Sequence, residues 1–161
     1  MGSIPTAPAD KNHLFLLGDF LVTHQGIELK WYNVNMKENK ISIEIKRPIS
    51  EVFEFTINPK NTHLWIENVQ KEETNEWPIK VGSRYRNTGD DGVWDEYEVI
   101  DLKQNELFEL KMVNGTYHVR YTYKPIDTNN TEITYFEWDE NGINSPFQQM
   151  ALAKLKDILE S

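Results

Sequence analysis

The sequence predicts an α+β domain with about seven antiparallel strands, two short helices after the first strand, and one amphipathic helix at the C-terminus. Three observations carry this. A strand of period two runs through Pro48 into a helical pattern. The middle of the chain is a string of strand-length segments with turn residues between them. Residues 145–161 open on a capping signal and carry one apolar stripe.

The 161 residues are 39% hydrophobic, which suits one domain with one core. Five Trp, seven Tyr and seven Phe make up 12% of the chain, more than a bare core needs. Residues 1–35 hold Pro5, Pro8, Gly18 and Gly26 and show no sustained period. They are expected to form an N-terminal extension that is loosely packed or partly disordered. Within it, 14–21 is expected to make a helical turn or two and 27–34 a short strand. The main domain is expected to span residues 36–161.

Ile41, Ile43 and Ile45 alternate with Ser42, Glu44 and Lys46, the pattern of a half-buried strand. Residues 49–57 (ISEVFEFTI) place Ile49, Val52 and Phe53 at helical spacing, with Ser50 or the turn before it as cap. Asn58-Pro59 breaks that helix, and a short second one from 60 to about 66 carries Leu64 and Trp65. Strands follow at 69–73, 81–87, 93–102, 106–113, 116–124 and 131–138. Asp91-Gly92 and Asn114-Gly115 are hairpin signals. At the C-terminus Ser145 caps, Pro146 takes the first helical position and Gln148 completes a capping box. Phe147, Met150, Ala151, Leu155, Ile158 and Leu159 then recur at helical spacing.

Net charge is −9, a field that repels nucleic-acid backbones and anionic membrane surfaces. With no cysteine, disulfides, thiolate metal sites and thiol nucleophiles are excluded. His13, His24, His63 and His118 are scattered, so no metal site is expected, and nothing asks for a cofactor. The apolar stretch 13–22 is too short for a membrane helix, contains Asp19 and lacks a basic start. A cytoplasmic location without membrane insertion is the expectation.

Several words of the sequence resemble a known family. Ile43-Glu44-Ile45-Lys46-Arg47-Pro48-Ile49-Ser50-Glu51-Val52-Phe53 is similar to its opening strand, proline and helix. Asn58-Pro59-Lys60-Asn61 followed by Trp65 is similar to its helix junction, and Val81-Gly82-Ser83-Arg84-Tyr85-Arg86 to its glycine-led third strand. From residue 36 onward the chain resembles the SRPBCC superfamily, which includes START lipid-transfer domains, polyketide cyclases and pollen-allergen proteins. Within it, the chain looks most like the bacterial polyketide cyclase/dehydrase-like group. The resemblance implies a helix-grip fold, in which a strongly curved sheet wraps the long C-terminal helix around a ligand cavity. The closing helix is short for such a family, so one end of the cavity is expected to be less covered.

Alternation then assigns faces. Tyr117, Val119, Tyr121 and Tyr123 share the inward face of their strand. For 131–138 both faces are apolar, and the resemblance favours Ile133, Tyr135 and Glu137 inward. Phe136 and Trp138 would then lie exposed on the outer face as a contact surface, for a homodimer or for the extension. Trp65 is expected at the cavity mouth, with Tyr85, Tyr97, Phe108, Met112, Tyr121, Tyr135 and Met150 lining the interior. The tyrosines either line a pocket or fill the core. Asp95 and Glu137 are the candidate acid/base groups, unless solvated or paired with Arg84, Arg86 or Arg120. Three functions are in play. The first is binding of a small hydrophobic or aromatic ligand between sheet and C-terminal helix. The second is a cyclase/dehydratase-like enzyme working by proton transfer. The third is a chaperone-assisting module using the outer aromatics.

Overall fold

The computed structural model describes residues 15–17, 20–22 and 36–161. The chain divides into two units, 1–34 and 35–161. In the first, β1 (Phe15–Leu17) and β2 (Phe20–Val22) form an antiparallel pair with Leu17 opposite Phe20. The helical turn expected at 14–21 is therefore replaced by a hairpin. So short an apolar run cannot repay helix nucleation. The expected strand at 27–34 lies outside the described residues, as does the packing of the extension.

The second unit runs β3 (Glu38–Ile45), α1 (Ile49–Ile57), α2 (Thr62–Trp65), β4 (Lys71–Thr74), β5 (Arg84–Thr88), β6 (Trp94–Lys103), β7 (Leu107–Met112), β8 (His118–Pro125), β9 (Thr131–Trp138) and α3 (Gln149–Glu160). Its seven strands form one antiparallel sheet in the order β3-β9-β8-β7-β6-β5-β4. Every neighbour is a hairpin partner except β3, which pairs with β9 along its whole length. On β9 burial alternates strictly, with Thr131, Ile133, Tyr135 and Glu137 inward.

β6 carries a register shift between Val99 and Asp101. The extra residue turns the strand by one position, so that Val99 and Leu102 both reach the core. Bulges of this kind bend a sheet. The short helices α1 and α2 then pack across it. Val52 and Phe53 are buried, and the Thr56 hydroxyl meets the Tyr123 hydroxyl at 2.5 Å. Pro48 occupies the N-cap of α1 with no side-chain cap, and Ser50 lies inside the helix instead of capping it. Proline fixes the backbone turn that a serine cap would otherwise have to hold.

α3 departs most from expectation. It begins at Gln149, not near Ser145, and has 12 residues. The Phe147 N–H, two residues past the expected cap, donates to Glu137 Oε1 at 2.6 Å. Asn39 Nδ2 donates to the Phe147 carbonyl at 2.9 Å. These long-range bonds keep 145–148 out of the helix, against the local capping signal. α3 buries Leu152 and Leu155 and lies along β3, where Gln149 and Lys156 donate to the carbonyls of Ser42 and Glu44.

Candidate ligand-binding cavity

The concave face of the sheet encloses two adjoining cavities. The larger, about 810 Å³, is lined on the sheet by Tyr97, Phe108, Leu110, Met112, Tyr121 and Tyr135. Thr56, Thr62 and Trp65 cover it from α1 and α2, and residues 142–147 close one side. The smaller, about 400 Å³, lies where Trp65, Tyr117, Glu137 and Phe147 meet Met150, Ala151 and Lys154 of α3. The expected position, between sheet and C-terminal helix, therefore holds only for the smaller cavity. α3 starts late and follows β3, so the β4–β6 end of the sheet is left to the short helices and to loops.

The candidates drawn from the sequence separate accordingly. Tyr97, Phe108, Met112, Tyr121 and Tyr135 stand together on the wall of the larger cavity. Trp65 is not at the mouth; it is 1% exposed and forms the partition between the two spaces, edge-on to the rings of Tyr121 and Phe147. Its Nε1 has no hydrogen-bond partner among the described residues. Tyr85 lines neither cavity. Its hydroxyl donates to the Ile57 carbonyl at 2.6 Å, so it is a core residue tying β5 to α1. Met150 is 70% exposed and reaches only the rim of the smaller space. It stands on the side of α3 opposite the buried Leu152 and Leu155.

The two carboxyl candidates also differ. Asp95 is exposed at the open side of the larger cavity. Glu137 is 1% exposed and saturated with donors. Its Oε1 accepts from Asn39 Nδ2 at 2.7 Å and from the Phe147 N–H at 2.6 Å. Its Oε2 accepts from the Tyr117 hydroxyl and from the Tyr135 hydroxyl at 3.1 Å. No arginine reaches either group, contrary to the alternative considered. Arg84 pairs with Glu96 and Glu98, Arg86 with Glu73, and Arg120 with Glu109.

Sequence reasoning missed Glu72. It lies on the wall of the larger cavity, and burial raises its carboxyl to about 7, the nearby Thr62 hydroxyl offsetting part of the rise. The only signal for it was alternation within Lys71-Glu72-Glu73, a run that reads as a solvated face. Tyr117 was placed inward but given no role, yet it binds Glu137. Burial pushes the Tyr117, Tyr121 and Tyr135 hydroxyls above the ordinary phenol range, and nearby Glu137 adds to this. All three stay protonated and can donate at neutral pH.

Phe136 and Trp138 lie on the outer face, as expected, but half-buried. Trp138 stacks on Phe136 at 5.0 Å and on His118 at 4.5 Å, with the Arg120 guanidinium over its ring. Cross-strand neighbours thus cover much of the apolar surface expected to be open.

The family described as polyketide cyclase / dehydrase and lipid transport matches residues 36–160. The chain belongs to this family. Its sheet and helices are the helix-grip architecture of the SRPBCC superfamily. No curated protein matches the chain. Among solved structures, XoxI from Bacillus cereus is 10% identical with a TM-score of 0.63, the match covering 78% of this chain and 96% of that one. The di-domain ARO/CYC BexL, from the BE-7585A biosynthetic pathway, is 15% identical with a TM-score of 0.60, covering 78% of this chain and 47% of that one. The Aha1 dimer from Colwellia psychrerythraea is 16% identical with a TM-score of 0.57, covering 78% and 97%. Identities this low speak to the fold. Among the described residues no helix is long and apolar enough to cross a membrane.

Proposed function

We propose that the larger cavity binds a small apolar or aromatic molecule. One observation carries this: about 810 Å³ of space is kept open against aromatic walls that include Trp65, Tyr97, Phe108, Tyr121 and Tyr135. A chain evolved only for stability fills such a space, because empty volume forfeits dispersion contacts. The size suits a ligand of two to four fused rings, within the roughly 300–1,000 Å³ of small-molecule sites. Membership of a family described by cyclases and lipid transport supports the reading.

The test is uptake of pyrenemethanol, a neutral fluorescent probe, by the full chain. Tyr97→Ala and Tyr121→Ala are each expected to weaken binding about five-fold or more, since an aromatic contact is worth about 1 kcal/mol. Circular dichroism checks that both variants remain folded. Unchanged affinity in both would remove the cavity assignment.

A cyclase/dehydratase-like activity is a second reading, favoured by Glu72. A carboxyl near 7 on a cavity wall exchanges protons readily at neutral pH, and the BexL neighbour comes from a biosynthetic pathway. Glu137 suits this role less, because both its oxygens are engaged by donors. Pairing through Phe136 and Trp138, or chaperone assistance through them, draws support from a neighbour determined as a dimer. The stacked, half-buried state of both rings weighs against it.

A further inference from the structure

The charged groups on the wall of the larger cavity have one sign. Glu72, Asp90, Asp91, Asp95 and Asp139 line it, and among its described lining residues none is Lys, Arg or His. Strand alternation does the sorting. On β4, Lys71 and Glu73 pair with each other on the outer face, while Glu72 between them faces in. On β5, Arg84 and Arg86 point outward, where Glu96, Glu98 and Glu73 hold them. Lys71 and Arg86 also lie over the outer-face ring of Trp94, at 5.8 and 4.6 Å from its centre. The basic groups of β4 and β5 are thus committed on the far side of the sheet.

Inside, Asp91 and Asp139 each give an oxygen to a local turn. Glu72 has the Thr62 hydroxyl and phenols for company, and no cation: Tyr85, Tyr97 and Tyr121 feel its charge. The remaining wall is aromatic, and ring faces attract cations as carboxylates do. Both halves of the lining therefore pull in the same direction. We infer that the occupant is an organic cation, an ammonium group on a flat apolar frame, with its charge toward Glu72 and Asp95 and its frame against Tyr97 and Tyr121. Carboxylate and phosphate ligands, fatty acids included, are rejected by the same wall. This rests on the cavity being a binding site and specifies its occupant.

Three probes that share one ring system separate the two claims. The full chain is titrated by fluorescence, at low and at high salt, with pyrenylmethylammonium, pyrenemethanol and pyrenecarboxylate. The ammonium is expected to bind at least about ten-fold tighter than the carboxylate, with the alcohol between them and the spread narrowing in salt. Glu72→Gln and Asp95→Asn should each reduce the preference for the ammonium over the alcohol and the carboxylate. If the alcohol binds but the ammonium and carboxylate bind equally, or the carboxylate binds tighter, the cation inference is overturned and the cavity reading stands. If none of the three binds, both fall. The ranking in the unaltered chain decides the matter even if Glu72→Gln fails to fold.

Discussion

Glu137 and Glu72 are both inward-facing carboxyls on one curved sheet, and they do opposite things. Glu137, near the β3–β9 edge, collects two backbone or amide N–H donors and two tyrosine hydroxyls. It binds β3, β9, Tyr117 just before β8 and the segment before α3 into one unit. Glu72, on the opposite edge strand β4, is half-buried without comparable partners, and burial raises its carboxyl to about 7. A buried carboxyl is stabilising where donors surround it and costly where they do not. The first is part of the scaffold; the second is the kind of group a binding or catalytic site retains.

The largest effect should come from the scaffold side. Glu137→Ala removes the shared acceptor of four hydrogen bonds and one of the two bonds that hold Phe147. The expected loss is about 3–5 kcal/mol in urea unfolding. A loss below 1 kcal/mol would break the contrast between the two carboxyls.

Glu72→Gln should act in the other direction. With its carboxyl raised from 4.5 to about 7, the folded chain holds more protons than the unfolded one between those values. Native stability therefore falls as pH rises through that window and is level above it. Its neighbours Tyr85 and Tyr97 have hydroxyls pushed up by burial, so neither titrates in that range. The variant should be more stable than the parent by about 1–2 kcal/mol at pH 8, allowing for solvent screening at a half-exposed strand. The difference should vanish near pH 4. Equal stabilities at both values would show that Glu72 is well solvated.

The smallest effect tests the boundary between core and cavity. Tyr85→Phe removes one hydrogen bond to Ile57 and should cost about 1 kcal/mol. Pyrenemethanol binding should not change, because Tyr85 lies behind the cavity wall.

Much of the fold was legible in short-range patterns. The Ile41-Ile43-Ile45 alternation, the helix over 49–57 and the inward face of Tyr117 to Tyr123 all follow from local periodicity. The start of α3 was not legible, because Ser145-Pro146-Phe147-Gln148 carries a real capping signal that two tertiary bonds at Phe147 override. The bulge in β6 was hidden too. Val99, Ile100 and Leu102 are all apolar, so either face could have been buried. The hairpin at Phe15–Val22 shows the same limit, since an apolar run that short has no decisive period.

For the cavity, composition announced a surplus of aromatics, and alternation put most of them on one surface. Alternation also separated Lys71 and Glu73 from Glu72, although nothing local marked Glu72 as buried.

The sequence by itself therefore determined the order of elements and which side chains share a face, because both follow from backbone geometry acting over a few residues. Only the tertiary structure decided which carboxyl is satisfied, where the last helix begins and which part of the sheet is left hollow. Those outcomes depend on partners such as Asn39 and Glu137, 98 positions apart, whose meeting no local pattern encodes.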